Sequence, residues 1–228
     1  MKKILLLAAF STALLASCNN KEGHNNNSDE AKEAASAAGT AAFDVDSSQS
    51  VINWEGSKPT GKHTGIIKLS GGKLNVKDGQ LVAGEFTLDM NSIVVTDLAA
   101  GDGKEDLETH LKGTGKPEAD DHFFNVKKYP TGKFVITKVT PLSGDNTATH
   151  NIEGNLTLKD ITKNITLKAI LRNEGEMFLA ISPAITINRT DWNIKYASKS
   201  FMPNLGDKFV NDEMSIQINL TALKAKEM

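Results

Sequence analysis

From Met214 to Thr221 the chain alternates without a break: Met214, Ile216, Ile218 and Leu220 are apolar, and Ser215, Gln217, Asn219 and Thr221 are polar. Successive side chains of a strand point to opposite faces, so this stretch demands a strand with one buried and one wet face. The same period recurs through most of the chain. Ile52 and Trp54 alternate with Asn53 and Glu55, while Gly65, Ile67 and Leu69 share one parity. Phe86, Leu88 and Met90 stand against Glu85, Thr87 and Asp89, after a Leu81-Val82 start and a Gly84 expected to mark a bulge. FVITKV from Phe134 to Val139 gives another strand, followed by Ile152, Gly154, Leu156 and Leu158 against Glu153, Asn155, Thr157 and Lys159. Ile165, Leu167, Ala169 and Leu171 repeat the pattern, and a further strand is expected over residues 178–187. Turns are expected at 160–164 and 173–176. One-sided strands in this number predict an all-β fold. About eight of them can close on themselves, which removes the exposed edges and leaves a lumen wide enough for side chains or one small ligand.

One interval departs from the pattern, between Asp97 and Pro130. Glu105, Asp106 and Glu108 place acid where a helix N-terminus favours it, Leu107 and Leu111 are four apart on one face, and Gly113 is a natural stop. A second short turn is expected around 120–124. His110 and His122 lie in this interval, but a zinc site needs three or four ligands at recognisable spacing, and these two histidines do not provide it. The reading is polar residues packing a helix on a sheet, with no metal.

The N-terminal end is of another kind. Lys2 and Lys3 precede a short apolar run, and Leu15-Ala16-Ser17 leads into Cys18, the single cysteine of the chain. The arrangement resembles a bacterial lipoprotein signal. That resemblance implies cleavage of residues 1–17, acylation of Cys18 and attachment to a membrane of the bacterial cell envelope, the outer membrane more than the inner. Residues 18–42 hold Asn, Ala, Ser, Glu and Lys without aromatic or branched aliphatic residues, a composition expected to form a disordered tether. The folded domain is expected over residues 43–223, long enough for a single core.

The formal net charge is −2, and no long run of one sign occurs, so nucleic acid is excluded as a partner on electrostatic grounds. The stretch INWEGSKPTGKHTG, residues 52–65, places Lys58, Lys62 and His63 around a turn between two strands, at the rim of whatever the sheet encloses. These lysines are candidate contacts for a charged head group. Arg189, one of two arginines with Arg172, lies beside Asp191 and Trp192, where it can bind a phosphate or pair with the aspartate; pairing is the expected outcome. Arg172 falls on the polar parity of its strand and is expected in solvent. No nucleophile elbow, phosphate-cradling loop or ligand cluster appears. The one acid–base pair worth naming is His63 with Asp89, and catalysis is not expected.

Several of these stretches together resemble the YceI-like family of bacterial envelope proteins: residues 52–65, GEFTLDMNSI (84–93), HFFNVKKYPTGKFV (122–135), EGNLTLKDITKNITL (153–167), INRTDWNIKY (187–196) and LGDKFVNDEMSIQINLTA (205–222). Trp192-Asn193 departs from the Phe-Gly common in that family. The resemblance implies an extended lipocalin-like antiparallel β-barrel of about eight strands, with one or two short helices packed on it, holding an isoprenoid or other lipid and no further cofactor. The candidate lining is then Ile52, Trp54, His63 and Ile67 at one side, with Phe86, Leu88, Phe134 and Ile136, and with Leu156, Leu158, Trp192, Ile216 and Ile218. The expected role is to hold a polyprenyl lipid, quinone or fatty amide for transport, storage or sequestration. A structural or adhesive lipoprotein with a side-chain-filled barrel is the alternative, and a homodimer stays open.

Overall fold

The computed structural model describes residues 28–226. Cys18, the signal stretch and the first part of the expected tether lie outside the described residues. In chain order the elements are β1 (Asp29–Glu30), β2 (Ala41–Val45), β3 (Val51–Lys58), β4 (Gly61–Lys77), β5 (Gln80–Asp89), β6 (Val94–Val95), α1 (Lys104–Lys112), β7 (Thr131–Pro141), β8 (His150–Leu158), β9 (Ile161–Asn173), β10 (Met177–Ile181), β11 (Ile185–Asn188) and β12 (Glu213–Lys224).

All pairings are antiparallel, and β8 pairs β9 to close a ring of eight strands. Two places in the ring are filled by broken strands. β2 and β3 share the place between β12 and β4, and β10 and β11 lie in succession along β12. The single strand expected over 178–187 is therefore two, interrupted at Ser182-Pro183-Ala184, where proline has no N–H for the ladder. Two more local expectations need correction. The turn after β8 is only Lys159-Asp160, both left-handed (φ 48° and 60°), as a tight two-residue hairpin requires. Irregularities of the β4–β5 pairing fall between Leu69 and Gly71 and between Asn75 and Val76, whereas Gly84 pairs regularly with Leu74.

The parity expectation holds in the wall. Leu69, Phe86, Leu88, Phe134, Leu156, Ile165, Leu167 and Leu220 are all buried. Strand ends divide between two rims. One rim carries the β3–β4 turn, α1, the Lys159-Asp160 turn and the long loop before β12; the other carries the β4–β5, β7–β8 and β9–β10 turns. At the first rim α1 runs with Glu105 and Asp106 in its first turn and stops at Gly113, whose φ of 66° is the left-handed cap. Glu108 accepts a hydrogen bond from the Val95 N–H at 2.9 Å, tying α1 to β6. Beyond α1 the helical turn is a 3₁₀ segment at Pro117–Ala119, earlier than expected. The following loop is pinned by Lys159, whose buried ammonium lies 2.9 Å from the Asp121 carboxylate.

Residues 28–40 correct the tether expectation over the part that is described. β1 pairs with β9 at Asn164 and Lys163, the Ala35 N–H donates to the Ile136 carbonyl of β7, and Asn75 donates to Thr40 just before β2 begins. The segment is thus a strap running down the outside of the barrel from one rim to the other. It explains an otherwise odd burial. Asn164 faces outward yet is 1 % exposed, because the strap lies over it; its amide donates to Asn155 and Thr137. Composition could not reveal this, since the strap is held by backbone and amide hydrogen bonds rather than by apolar side chains.

Candidate functional site

The interior of the ring is built from the inward parity of each strand. Ile52 and Trp54 come from β3, Ile67 from β4, Phe86 and Leu88 from β5, Phe134 from β7, Leu156 and Leu158 from β8, and Ile216 and Ile218 from β12; all line one apolar cavity. Ile136 lines a second cavity toward the far rim, with Leu74, Leu81 and Leu220. A third, toward the α1 rim, is lined by Trp54, Ile67, Ile93, Leu111, Phe123 and Phe124. Their cavity volumes are small, about 40, 30 and 70 Å³ in that order. They share walls: Phe86, Phe134 and Ile218 separate the first from the second, and Trp54, Ile67, Phe124 and Met214 the first from the third. The result is a narrow apolar column along the barrel axis, pinched by aromatic rings rather than open as a wide lumen.

Two of those rings lie against strand glycines. Trp54 is directly opposite Gly65, and a β-carbon there would collide with the indole and with the Val94 carbonyl. The Phe134 ring lies over Gly154 in the same manner, and it stacks on Phe86 at 5.2 Å and 25°. Each glycine leaves beside the strand the space that part of a ring occupies. The Trp54 ring borders the column and also the mouth, and its buried indole N–H has no acceptor among the described residues.

The column ends at the α1 rim in a mouth lined by Trp54, Gly56, Lys58, His63, His110, Leu111, Phe123, Tyr196 and Lys208. His63 sits there, but its partner is Asp97 and not Asp89. The His63 Nδ1 lies 2.9 Å from an Asp97 oxygen, and the Thr64 N–H donates to the other at 2.9 Å. Burial pushes the Asp97 carboxyl up, and the hydrogen bonds from Thr64 and His63 outweigh it, leaving it below the ordinary value. Asp89 instead accepts from the Asn91 N–H at the end of β5. Lys62 pairs with Glu55 at 2.8 Å on the outside of the hairpin.

His110 and His122 are brought together, Nε2 to Nδ1 at 2.8 Å, with Tyr196 stacked on His122 at 4.1 Å and edge-on to His110 at 4.9 Å. Burial first, and then the neighbouring His122, lower the His110 pKa. Among the described residues no group of three or more His, Cys, Asp or Glu is placed to hold a metal ion.

Arg189 is enclosed. Its guanidinium donates to the carbonyls of Asn211 (3.0 Å), Ile194 (2.7 Å) and Val210 (3.0 Å) and pairs with Asp212 at 3.3 Å. The expected ion pair exists, but with Asp212; Asp191 accepts instead from the Ser28 hydroxyl. With its donors taken by these partners, Arg189 ties the loop before β12 to the 3₁₀ turn at 189–192, and it also lines the third cavity. Trp192 is fully buried in that turn, donating to the Leu156 carbonyl at 3.0 Å, and it lines none of the three cavities. Asn193 after it is left-handed (φ 58°), a conformation asparagine tolerates where glycine is the default. Conversely, Phe123, Phe124, Met90 and Met214 line the cavities without having been expected there. Met90 and Met214 carry on the apolar parity of the strand residues beside them, and the adjacent phenylalanines at 123–124 stand out between polar loop residues.

Comparison with known proteins agrees with this architecture. The YceI-like domain family matches residues 43–222. A UPF0312 protein of Pseudomonas putida (strain F1) is 36% identical over 100 residues, 40% of this chain and 50% of that protein. One from Pseudomonas aeruginosa (strain LESB58) is 33% identical over 120 residues, covering 50% of this chain and 55% of that protein. The chain thus spans about half the length of the curated relatives it matches. Among solved structures, BcnA of Burkholderia cenocepacia superposes with a TM-score of 0.58 at 20% identity, over 78% of this chain and 99% of BcnA. A polyisoprenoid binding domain from Saccharophagus degradans, described as implicated in plant cell wall breakdown, gives 0.54 at 13% identity, over 81% and 99%. At these identities the likeness is one of fold.

Proposed function

We propose, from the premise that the chain belongs to the YceI-like domain family, that it is a binding protein whose barrel holds a long apolar-tailed amphiphile such as a polyprenyl lipid, quinone or fatty amide. The observation that carries this reading is the apolar column running from the far rim to a polar mouth. A chain of methylenes or prenyl units matches the column in shape and polarity, and Lys58, His63 and the unpartnered Trp54 N–H stand where a polar end emerges or lies just inside. A polyisoprenoid binding domain shares the fold, which supports the ligand class. The column is narrow, so uptake requires side chains such as Phe124 and Met214 to yield. The proposed role is binding, with the His63–Asp97 pair read as part of the rim around the mouth.

The proposed location is the bacterial cell envelope, with acylated Cys18 as the anchor. A Cys18→Ser chain is then expected to leave the detergent phase while keeping its fold; equal membrane retention defeats the anchor. For the ligand, organic extraction of the protein purified from its host and mass spectrometry is expected to yield a lipid in near-stoichiometric amount. Titration with prenyl alcohols of rising length is expected to show affinity climbing until the column is full, since each buried methylene contributes ~0.8 kcal/mol. Salt is expected to matter little, because rim contacts to a head group contribute ~0 to 1 kcal/mol. An empty extract together with flat length dependence favours the second reading, a structural barrel filled by its own side chains, to which the narrowness of the column lends support.

A further inference from the structure

The loop from Lys195 to Phe209 lies at the mouth rim and presents apolar groups to water. Phe201 is 50% exposed and Met202 41%. Cations accompany them: the Lys195 ammonium lies 4.5 Å from the Phe201 ring centroid and that of Lys199 3.6 Å from the Phe209 ring. Lys208 and Lys58 stand at the mouth itself, and Asp207 is the one acid within the loop. This basic character is local, because the chain as a whole has a net charge of −2. Acid is not confined to the opposite rim, since α1 on the mouth rim carries Glu105, Asp106 and Glu108; the basic surface is this loop together with Lys58.

The loop is also well held beneath its tip. The Asn211 N–H and side-chain amide donate to the Ser57 carbonyl and hydroxyl at 2.9 and 2.8 Å, the Val210 N–H donates to the Ala197 carbonyl at 2.9 Å, and Ser200 donates to Asp212 at 2.6 Å. A fixed stem that displays an aromatic and a thioether flanked by lysines has the chemistry of a lipid–water interface, where apolar tips enter the acyl boundary and lysines meet anionic head groups.

We infer that this rim docks on an anionic lipid bilayer, with Phe201 and Met202 inserted and Lys195, Lys199, Lys208 and Lys58 against the head groups, so that the mouth of the column faces the membrane. The start of the described chain agrees, because Ser28 donates to Asp191 on this same rim at 2.5 Å. The nine residues between it and Cys18 let the two stand at most roughly 35 Å apart. The inference extends the lipid-binding reading but does not require it, since a rim can dock whether or not the column is loaded.

The test uses the full chain carrying Cys18→Ser, so that no acyl anchor contributes, mixed with phosphatidylcholine vesicles with or without phosphatidylglycerol. The expected result is cosedimentation with the anionic vesicles that weakens with salt. Phe201→Ser with Met202→Ser is expected to lower partitioning at least about tenfold, and each of Lys195→Gln and Lys199→Gln about fivefold, with thermal midpoint and prenyl-alcohol affinity unchanged. Equal partitioning of parent and variants overturns the inference, as does binding to neither vesicle. Self-association abolished by the Phe201/Met202 pair, without vesicle binding, assigns the surface to a second copy and overturns it too. Loss of prenyl-alcohol binding with docking intact would remove the ligand proposal alone.

Discussion

The side-chain amide of Asn155 clasps the main chain of Lys32, accepting from its N–H at 3.0 Å and donating to its carbonyl at 2.7 Å. A strand residue of β8 thereby mimics a peptide group and holds the strap as a neighbouring strand would. The same Asn155 oxygen accepts from Asn164 at 3.0 Å, so one amide serves both the strap and the residue buried under it.

Asn155→Ala is therefore expected to cost about 2 kcal/mol, from two or three net hydrogen bonds at ~0.5 to 1.5 kcal/mol each. Denaturant midpoints measure the loss, and amide exchange at Lys32 is expected to accelerate more than exchange in β8. A variant that leaves strap exchange unchanged would show that the clasp does not hold it.

Arg189→Met is expected to destabilise by roughly 3 to 5 kcal/mol, since it strands a carboxylate and several buried carbonyls. Arg189→Lys should recover only part, because an ammonium cannot reach three carbonyls and Asp212 in one plane. A near-neutral result for both, read from thermal or urea unfolding, would place the guanidinium in solvent.

Gly65→Ala is expected to push Trp54 off the β4 wall and cost about 1 to 3 kcal/mol through overpacking. A shift in tryptophan emission should accompany the loss. An unchanged spectrum would mean that the indole does not lie against this glycine.

Phe86→Asp or Leu156→Asp puts an unpaired charge into the column and is expected to cost several kcal/mol. Glu85→Gln on the outer face removes only its 2.8 Å pair with Lys133, both half exposed, and should stay within ~1 kcal/mol. Similar losses for both classes would overturn the assignment of faces.

Acidification should weaken the α1 rim. The His110 pKa is lowered from 6.5, by burial first and then by His122, so below about 6.5 the unfolded chain binds a proton that the folded one refuses. This contribution to stability is complete above about pH 6.5 and declines as the pH falls toward the folded-state value. His150 is lowered by burial too and adds to the slope. The contribution of His110 is the difference between the parent and His110→Gln in unfolding measured from pH 7.5 to 5; parallel curves would reject it.

Face assignment was legible along the strands because it is a property of neighbouring residues: the parity that separates Phe86 from Glu85 needs only the local alternation. The helix was legible for the same reason, with Leu107, Leu111 and Gly113 within one short segment. Partners were not. His63 meets Asp97 across 34 positions and not Asp89, because β6 pairs with β4 at Ile66 and Gly65 and so carries Asp97 to that edge. Arg189 passes over the adjacent Asp191 for Asp212, because the 3₁₀ turn points Asp191 toward Ser28.

By itself, then, the sequence determined which side chains of each strand face inward and that one helix interrupts the strands, since propensity and periodicity act over a few residues. Only the tertiary structure decided that the interior is a narrow column with rings laid on Gly65 and Gly154, and that residues 28–40 are a strap. Those outcomes depend on register between strands distant in the chain and on backbone groups that every residue carries. A backbone N–H or carbonyl takes its partner from geometry, and nothing in the letters of the strap distinguishes it from a chain left in water.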